Sequence, residues 1–336
     1  MPDGSVRIGR AVPERSGYAG RMVPLDRGQV SLRLYPHALP PRECVAELLR
    51  QASLAEEAGF DGLMTSEHHG GFPGYVPNPL QLAGWLLEAT DCVWAAPCPL
   101  LLPLYHWSHI TEQLAWLAVR FPGRVGGGFA IGGLAQDFEM ADLVYEDRVA
   151  RFKHDLPLVT EALRGRAASP LAEDPAVAAC RADPVPMVSA AQSPGAVRRA
   201  ARVGIGVLYD SLQTLARMRE ISDAYSEAGG QGTRIAIRRV WIGPPLDAQV
   251  EAQMDFYRGY ATSDAQAHWG AGEELVSGVD GAEVAEKLLE VAGRGGCDSF
   301  NLRVHAAGID PVRVEEQIAR LGAETLPMLV AELRGG

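Results

Sequence analysis

Glu67-His68-His69 places a carboxylate and two imidazoles on consecutive residues at the end of an apolar run, GLMTSEH (62 to 68). An imidazole titrates near neutrality and can give or take a proton at working pH, so the tripeptide could serve acid–base chemistry. Along extended backbone the side chains alternate, which puts Glu67 and His69 on one side and His68 on the other. A lone histidine in that position is more often a hydrogen-bonded core group than a catalyst. As a metal site the tripeptide is weak: adjacent histidines on a strand diverge, and no further His, Asp or Glu stands at ligand spacing.

Three other constellations carry possible chemistry. Cys98-Pro99, with Pro97 just before it, interrupts the run CVWAAPCPLLL (92 to 102). Proline cannot donate a strand hydrogen bond, so the pair marks a break or bulge and a place where a cis peptide is cheap, or simply a strand terminus. Ser193-Pro194-Gly195 follows the apolar run ending Ala190-Ala191 and reads as an N-cap with proline at the first helical turn. Free amides at such a helix start can hold phosphate, with Arg148, early in another helix, as a balancing cation; an ordinary cap is the plainer reading. Gly126-Gly127-Gly128 with Gly132-Gly133 does not spell a dinucleotide fingerprint; it suits either close approach of a flat ligand to backbone or relief of crowding inside a barrel. The sequence shows no nucleophile elbow, phosphate-binding loop or paired-carboxylate arrangement.

The elements that must position these residues alternate regularly. Eight apolar runs, at 30–36, 62–68, 92–102, 124–131, 185–191, 204–210, 234–243 and 299–305, have the character of parallel strands buried on both faces. Helical periodicity separates them, as in Arg42 to Ala58, where Val45, Leu48, Leu49, Ala52 and Ala55 recur at three- and four-residue steps and Gly59 stops the helix. Comparable segments cover 80–90, 110–120, 147–163, 195–203, 211–228 and 283–292. Eight such units predict a (β/α)8 TIM barrel, with a doubly wound sheet as the competing architecture. Residues 1–28 read as an N-terminal arm of mixed charge, and 29–336 as one barrel domain. Long stretches at 132–147, 165–184 and 244–278 read as excursions or lids, the first and last being insertions after strands four and seven. The last holds Tyr257, Tyr260, His268 and Trp269, fit to cover an apolar ligand or to pack as a surface excursion.

Composition narrows the partners. The 336 residues carry 31 Lys and Arg against 42 Asp and Glu, a net charge of −11, which argues against nucleic acid and anionic membranes. No apolar stretch has the length of a membrane span, and the opening lacks a secretory segment, so a cytoplasmic location is expected. The five cysteines are scattered without a CxxC pair, and are expected to be reduced and mostly buried.

Several segments in order, EEAGFDGLMTSEHH (56 to 69), Asn78-Pro79, TDCVWAAPCPLLLP (90 to 103), Gly123-Arg124 and AAQSPGAVRRAARVG (190 to 204), make the chain resemble the bacterial luciferase-like flavin-dependent monooxygenases from about Val30 to the C-terminus. The resemblance implies a two-component enzyme. Reduced FMN comes from a separate flavin reductase, reacts with O2 through a C4a-peroxyflavin, and oxygenates a small organic substrate. It implies His68 as the catalytic residue beside the flavin edge, Cys98-Pro99 as a cis peptide against the ring, and Arg148, Ala191, Gln192 and Ser193 around the phosphate. At the end of the fourth strand this chain has Ala130 and Ile131 where bacterial luciferase has cysteine and arginine, so one phosphate cation is missing, while Ala130 keeps its place beside the cofactor. The lid also looks shorter than in light-emitting members. Relatives pair through helices after the early strands, which implies a homodimer. Two alternatives stay open: hydride transfer with the deazaflavin F420 on the same barrel, and a non-catalytic flavin-binding partner subunit.

Overall fold

Apolar runs flanked by amphipathic helices bury both faces only when helices cover a sheet that curls on itself, and the chain does this. The computed structural model describes residues 22–259, 269 and 275–335. Its strands are β1 (Val30–Arg33), β2 (Gly62–Thr65), β3 (Trp94–Pro97), β4 (Leu100–Leu101), β5 (Gly127–Ala130), β6 (Met187–Ala190), β7 (Gly206–Tyr209), β8 (Arg234–Ile242), β9 (Leu275–Gly278) and β10 (Ser299–Arg303). The helices are α1 (Pro41–Ala58), α2 (Pro79–Ala89), α3 (Trp107–Arg120), α4 (Ala135–Glu139), α5 (Arg148–Ala162), α6 (Pro175–Ala179), α7 (Pro194–Arg202), α8 (Leu215–Glu227), α9 (Asp247–Arg258), α10 (Gly281–Gly295), α11 (Pro311–Arg320) and α12 (Leu326–Gly335). Gly59 ends α1 at φ 92°, a left-handed position that favours glycine.

Among the described residues every strand pair is parallel, in the order β3-β2-β1-β10-β8-β7-β6-β5-β4. β4 resumes β3 beyond the Cys98-Pro99 break. Ala95 also bridges to Val125, with Ala95 N–H on the Arg124 carbonyl at 2.9 Å and Gly126 N–H on the Ala95 carbonyl at 3.1 Å. The two ends of the sheet therefore meet, and eight staves form the (β/α)8 barrel. β9 lies outside that count: it extends the sheet beside the far half of β8, Arg239 opposite Leu275. Neither it nor α9, both within 244–278, is visible in the sequence pattern, and the C-terminal pair α11 and α12 is likewise additional to the expected helices. The 165–184 stretch holds a short turn of helix and α6.

Two apolar layers result. One cluster, including Met64, Trp94, Ala96, Cys98, Val188, Leu208 and Ile235, fills the inside of the barrel; a larger one packs between strands and helices. Bulky residues fit inside because glycines face them. A Cβ on Gly128 would lie 2.0 Å from the Cys98 Sγ, and one on Gly62 would lie 2.1 Å from the Trp94 ring. Of the two readings of the glycine cluster, relief of crowding is the one the packing supports at Gly126 and Gly128. Leu25, from the end of the expected arm, is buried against Gly126 at the lower end of the barrel. Among the described residues no helix is long and apolar enough to cross a membrane.

Candidate active site

The upper ends of the strands surround a cavity of about 570 Å3. Beyond β2 the backbone stays extended enough for the side chains to alternate as expected. Glu67 turns to His69, Oε1 to Nε2 at 2.9 Å, and also takes the Leu101 amide at 2.6 Å and the Tyr105 hydroxyl. This buried carboxylate thereby ties the end of β2 to β4, and it holds the His69 imidazole above its usual range. His68 lies on the other side, on the cavity wall. Its Nδ1 is 2.8 Å from Oδ2 of Asp137, whose Oδ1 accepts the His69 amide at 2.9 Å. Phe72 and Tyr75 pack against the imidazole at 4.7 and 4.5 Å between ring centroids. A buried carboxylate on Nδ1 fixes the ring and leaves Nε2 as the atom free to exchange a proton, the tautomer following from the hydrogen-bond network.

The Cys98-Pro99 peptide is cis. Pro99 lines the cavity, while the Cys98 thiol points into the barrel interior, where burial pushes it up to about 12, out of reach of nucleophilic chemistry. The Cys98 carbonyl accepts from Arg33 Nη2 at 3.0 Å. Arg33 is buried at the end of β1 and also donates to Asn301 Oδ1 at 2.6 Å and to Ser66 Oγ, so one guanidinium joins β10, β1, β2 and the break after β3.

Across the opening, Ser193 caps α7 by accepting the Ala196 amide at 3.3 Å, and it lines the cavity with Gln192. Arg148 lies over the Tyr145 ring at 3.6 Å and donates to the Tyr145 carbonyl at 2.9 Å. A second cation arrives from a place the sequence did not suggest. Arg217, in α8, pairs with Glu220 at 2.6 Å and donates to the Gln192 carbonyl at 3.2 Å, while its buried Nε has no hydrogen-bond partner. Arg217 thus adds to the cavity wall a cation that the sequence reading did not include. At the opposite end, Arg303 from β10 donates to the Tyr257 hydroxyl at 3.0 Å and to the His305 carbonyl at 2.9 Å, with the Tyr35 ring 3.8 Å from its guanidinium.

The fold thus brings His68, Pro99, Ala130, Arg148, Gln192 and Ser193 to one cavity. Cys98 contributes its carbonyl only through Arg33. Ala191 is turned into the layer between strands and helices, its amide bonded to the Leu208 carbonyl at 3.1 Å. Tyr257 and Trp269 line the cavity, whereas Tyr260 and His268 lie outside the described residues. Asp137, Arg217, Arg33 and Arg303 escaped the sequence reading. Asp137 alone had a sequence clue: it lies in the expected insertion after the fourth strand, in α4. Another cavity, of about 440 Å3, opens at the lower end among Leu25, Met187 and Thr233. Chemistry in these barrels belongs at the carboxyl ends of the strands, so the upper cavity is the candidate.

Residues 28–299 match the luciferase-like monooxygenase family. An F420-dependent glucose-6-phosphate dehydrogenase of Beutenbergia cavernae is 28% identical over 279 residues, 77% of this chain and 80% of its own. Among solved structures, the monooxygenase RslO1 of Streptomyces bottropensis superposes with a TM-score of 0.72 at 21% identity, covering 89% of this chain and 99% of its own. The oxygenating constituent of 3,6-diketocamphane monooxygenase of Pseudomonas putida, solved with FMN, gives 0.70 at 16% identity, covering 89% and 98%. Likeness at these identities speaks for the fold.

Proposed function

The chain belongs to the luciferase-like monooxygenase family, and from that premise we propose that it is the oxygenating component of a two-component system, taking reduced FMN from a separate flavin reductase and oxygenating a small organic substrate with O2. The observation that carries the reading is the His68–Asp137 pair on the same cavity as the helix start at Ser193. The residues present fit the cofactor. Arg217 Nε is a buried donor lacking an acceptor, beside Gln192 and Ser193, and a phosphate oxygen would satisfy it. Arg148 adds charge from the neighbouring helix, and Pro99 offers an apolar ledge between this end and His68. A cavity of about 570 Å3 is of the size that small-molecule sites have.

When bound, reduced FMN supplies the electrons that activate O2. His68 gives or takes a proton at Nε2, and Asp137 stabilises the imidazolium that results. Phe72, Tyr75, Tyr257 and Trp269 keep water from the reacting end. His68→Ala should lower product yield in a single turnover with photoreduced FMN by about 100-fold, the usual worth of a positioned proton-transfer group. Unchanged yield would remove the role.

A second reading, hydride transfer with F420, is favoured by the Beutenbergia relative. In it His68 would take the substrate hydroxyl proton. Absorbance titrations of FMN and F420, followed by turnover with and without O2, separate the two: oxygen-independent oxidation of an alcohol with F420 replaces the first reading by the second. Two copies are proposed to pair through α2 and α3, where Trp85, Trp116 and Val119 are 42%, 53% and 47% exposed. A monomer in sedimentation at micromolar concentration would remove that part.

A further inference from the structure

We propose that the end of the cavity formed by Arg303 is a subsite for an ionised oxygen of the substrate, a carboxylate or an acidic phenol or enol. This rests on the upper cavity being the active site and deepens that reading by naming a substrate class. Arg303 is 2% exposed and lines the cavity, yet among the described residues no carboxylate pairs with it. Its Nε and Nη1 are taken by the His305 carbonyl and the Tyr257 hydroxyl; among the described residues its Nη2 has no hydrogen bond. A buried guanidinium without a counterion is unfavourable unless something arrives to balance it.

The neighbours compound the imbalance. Arg239, its register partner on β8, is also buried, and burial first and Arg303 second push it down to about 10. Arg33, on β1 at the other side of β10, brings a third buried guanidinium to the same rim. The carboxylates near the cavity are engaged elsewhere: Glu67 by His69, Leu101 and Tyr105, Asp137 by His68 and His69, and Asp210 by the Leu212 amide at 3.0 Å. Tyr257 reports the local field. Burial pushes its phenol up, but Arg303 and Arg239 beside it outweigh burial and hold it below the usual phenol range. A substrate oxyanion would meet the same field, and the Tyr35 and Tyr75 rings would flank its planar group. Arg33 differs in being saturated by Asn301, Ser66 and the Cys98 carbonyl, which is why the subsite is assigned to Arg303.

The test is calorimetric titration of the full chain, without cofactor, with 2-naphthoate and its neutral isostere 2-naphthamide. The carboxylate should bind at least tenfold tighter. Arg303→Gln should abolish the preference, Arg303→Lys should keep part of it, and Arg217→Gln, at the other end, should leave it unchanged. Tyr257→Phe keeps the guanidinium and should keep the preference, which guards against a fold lost in the Arg303 variants. 4-Nitrophenol, read by its visible absorbance, distinguishes the sources: uptake as the anion extends the class to phenols, and its absence beside naphthoate binding narrows it to carboxylates. Equal affinity for acid and amide, no binding of naphthoate, or a preference that follows Arg217 instead of Arg303 would overturn the proposal. A retained preference in a chain that binds neither FMN nor F420 would sink the cofactor reading and leave this one standing.

Discussion

The two ends of the cavity handle charge in opposite ways. At the Ser193 end the polar groups come from helix starts and loops, Gln192 and Ser193 are exposed, and the cations Arg148 and Arg217 rest on backbone carbonyls and a surface glutamate. At the Arg303 end they come from the strands themselves, and Arg33, Arg239 and Arg303 are all buried. The first arrangement can be altered without disturbing the barrel; the second is part of the barrel. A site built this way can vary its grip on a phosphate cheaply, while its choice of substrate charge is bound to the stability of the fold.

Arg33→Leu is the strongest way to break that comparison. It leaves the Asn301 amide oxygen, the Ser66 hydroxyl and the Cys98 carbonyl without their donor inside the barrel, and removal of one member of such a buried polar network costs about 3–5 kcal/mol. Arg148→Leu, at the other end, should cost under about 1 kcal/mol, since the residue loses a ring contact and one carbonyl. Chemical denaturation at fixed pH measures both. Equal losses would mean that the ends are not built differently.

Between the ends lies the Cys98-Pro99 ledge, backed by Gly128. Gly128→Ala would force a methyl to 2.0 Å from the Cys98 Sγ, and overpacking of this kind costs about 1–3 kcal/mol. Pairing it with Cys98→Ala should recover a large part of the loss, because the clashing sulfur is gone. A cycle in which the two changes simply add would show that the thiol is not what the glycine accommodates.

Arg217→Gln sharpens the comparison at the exposed end. It should weaken FMN binding about tenfold, equivalent to about 1.4 kcal/mol, with little change in denaturation midpoint. Retained affinity would mean that the partnerless Nε faces no phosphate.

How far each end was legible follows from the same difference. Ser193-Pro194 advertises a helix start in letters alone, and Glu67-His68-His69 stands out because three titratable residues end an apolar run. The eight strands were legible because both faces are buried, and Gly59 because its backbone is left-handed. Arg303 and Arg239 were not, since in RIAIRRVWIG and SFNLRVH an arginine pointing inward looks the same as one reaching solvent. Asp137 and Arg217 reach the site through folding of an insertion and a helix turn, contacts that span 69 and 25 residues and leave no local periodicity. β9 was hidden for another reason: LVSG is too short and too polar to announce a strand until β8 offers an edge.

The smallest effect is also the one that sets two histidines against each other. Glu67, by hydrogen bond, holds His69 above its usual range, so this contact contributes stability that is fully present below pH about 6.5 and is lost as pH rises through the raised folded value. His305 is the reverse case. Burial first, then Arg303, His37 and Arg239, hold its imidazole well below the usual range, and its Nδ1 has no partner, so the folded chain resists a proton that the unfolded chain accepts below pH about 6.5. Stability from that site is therefore lost as pH falls. Denaturation midpoints followed from pH 5 to 8 should show His69→Gln flattening the alkaline limb and His305→Phe flattening the acid limb. If both variants flattened the same limb, the Arg303 end would lack the positive field that sets it apart from the end at Ser193.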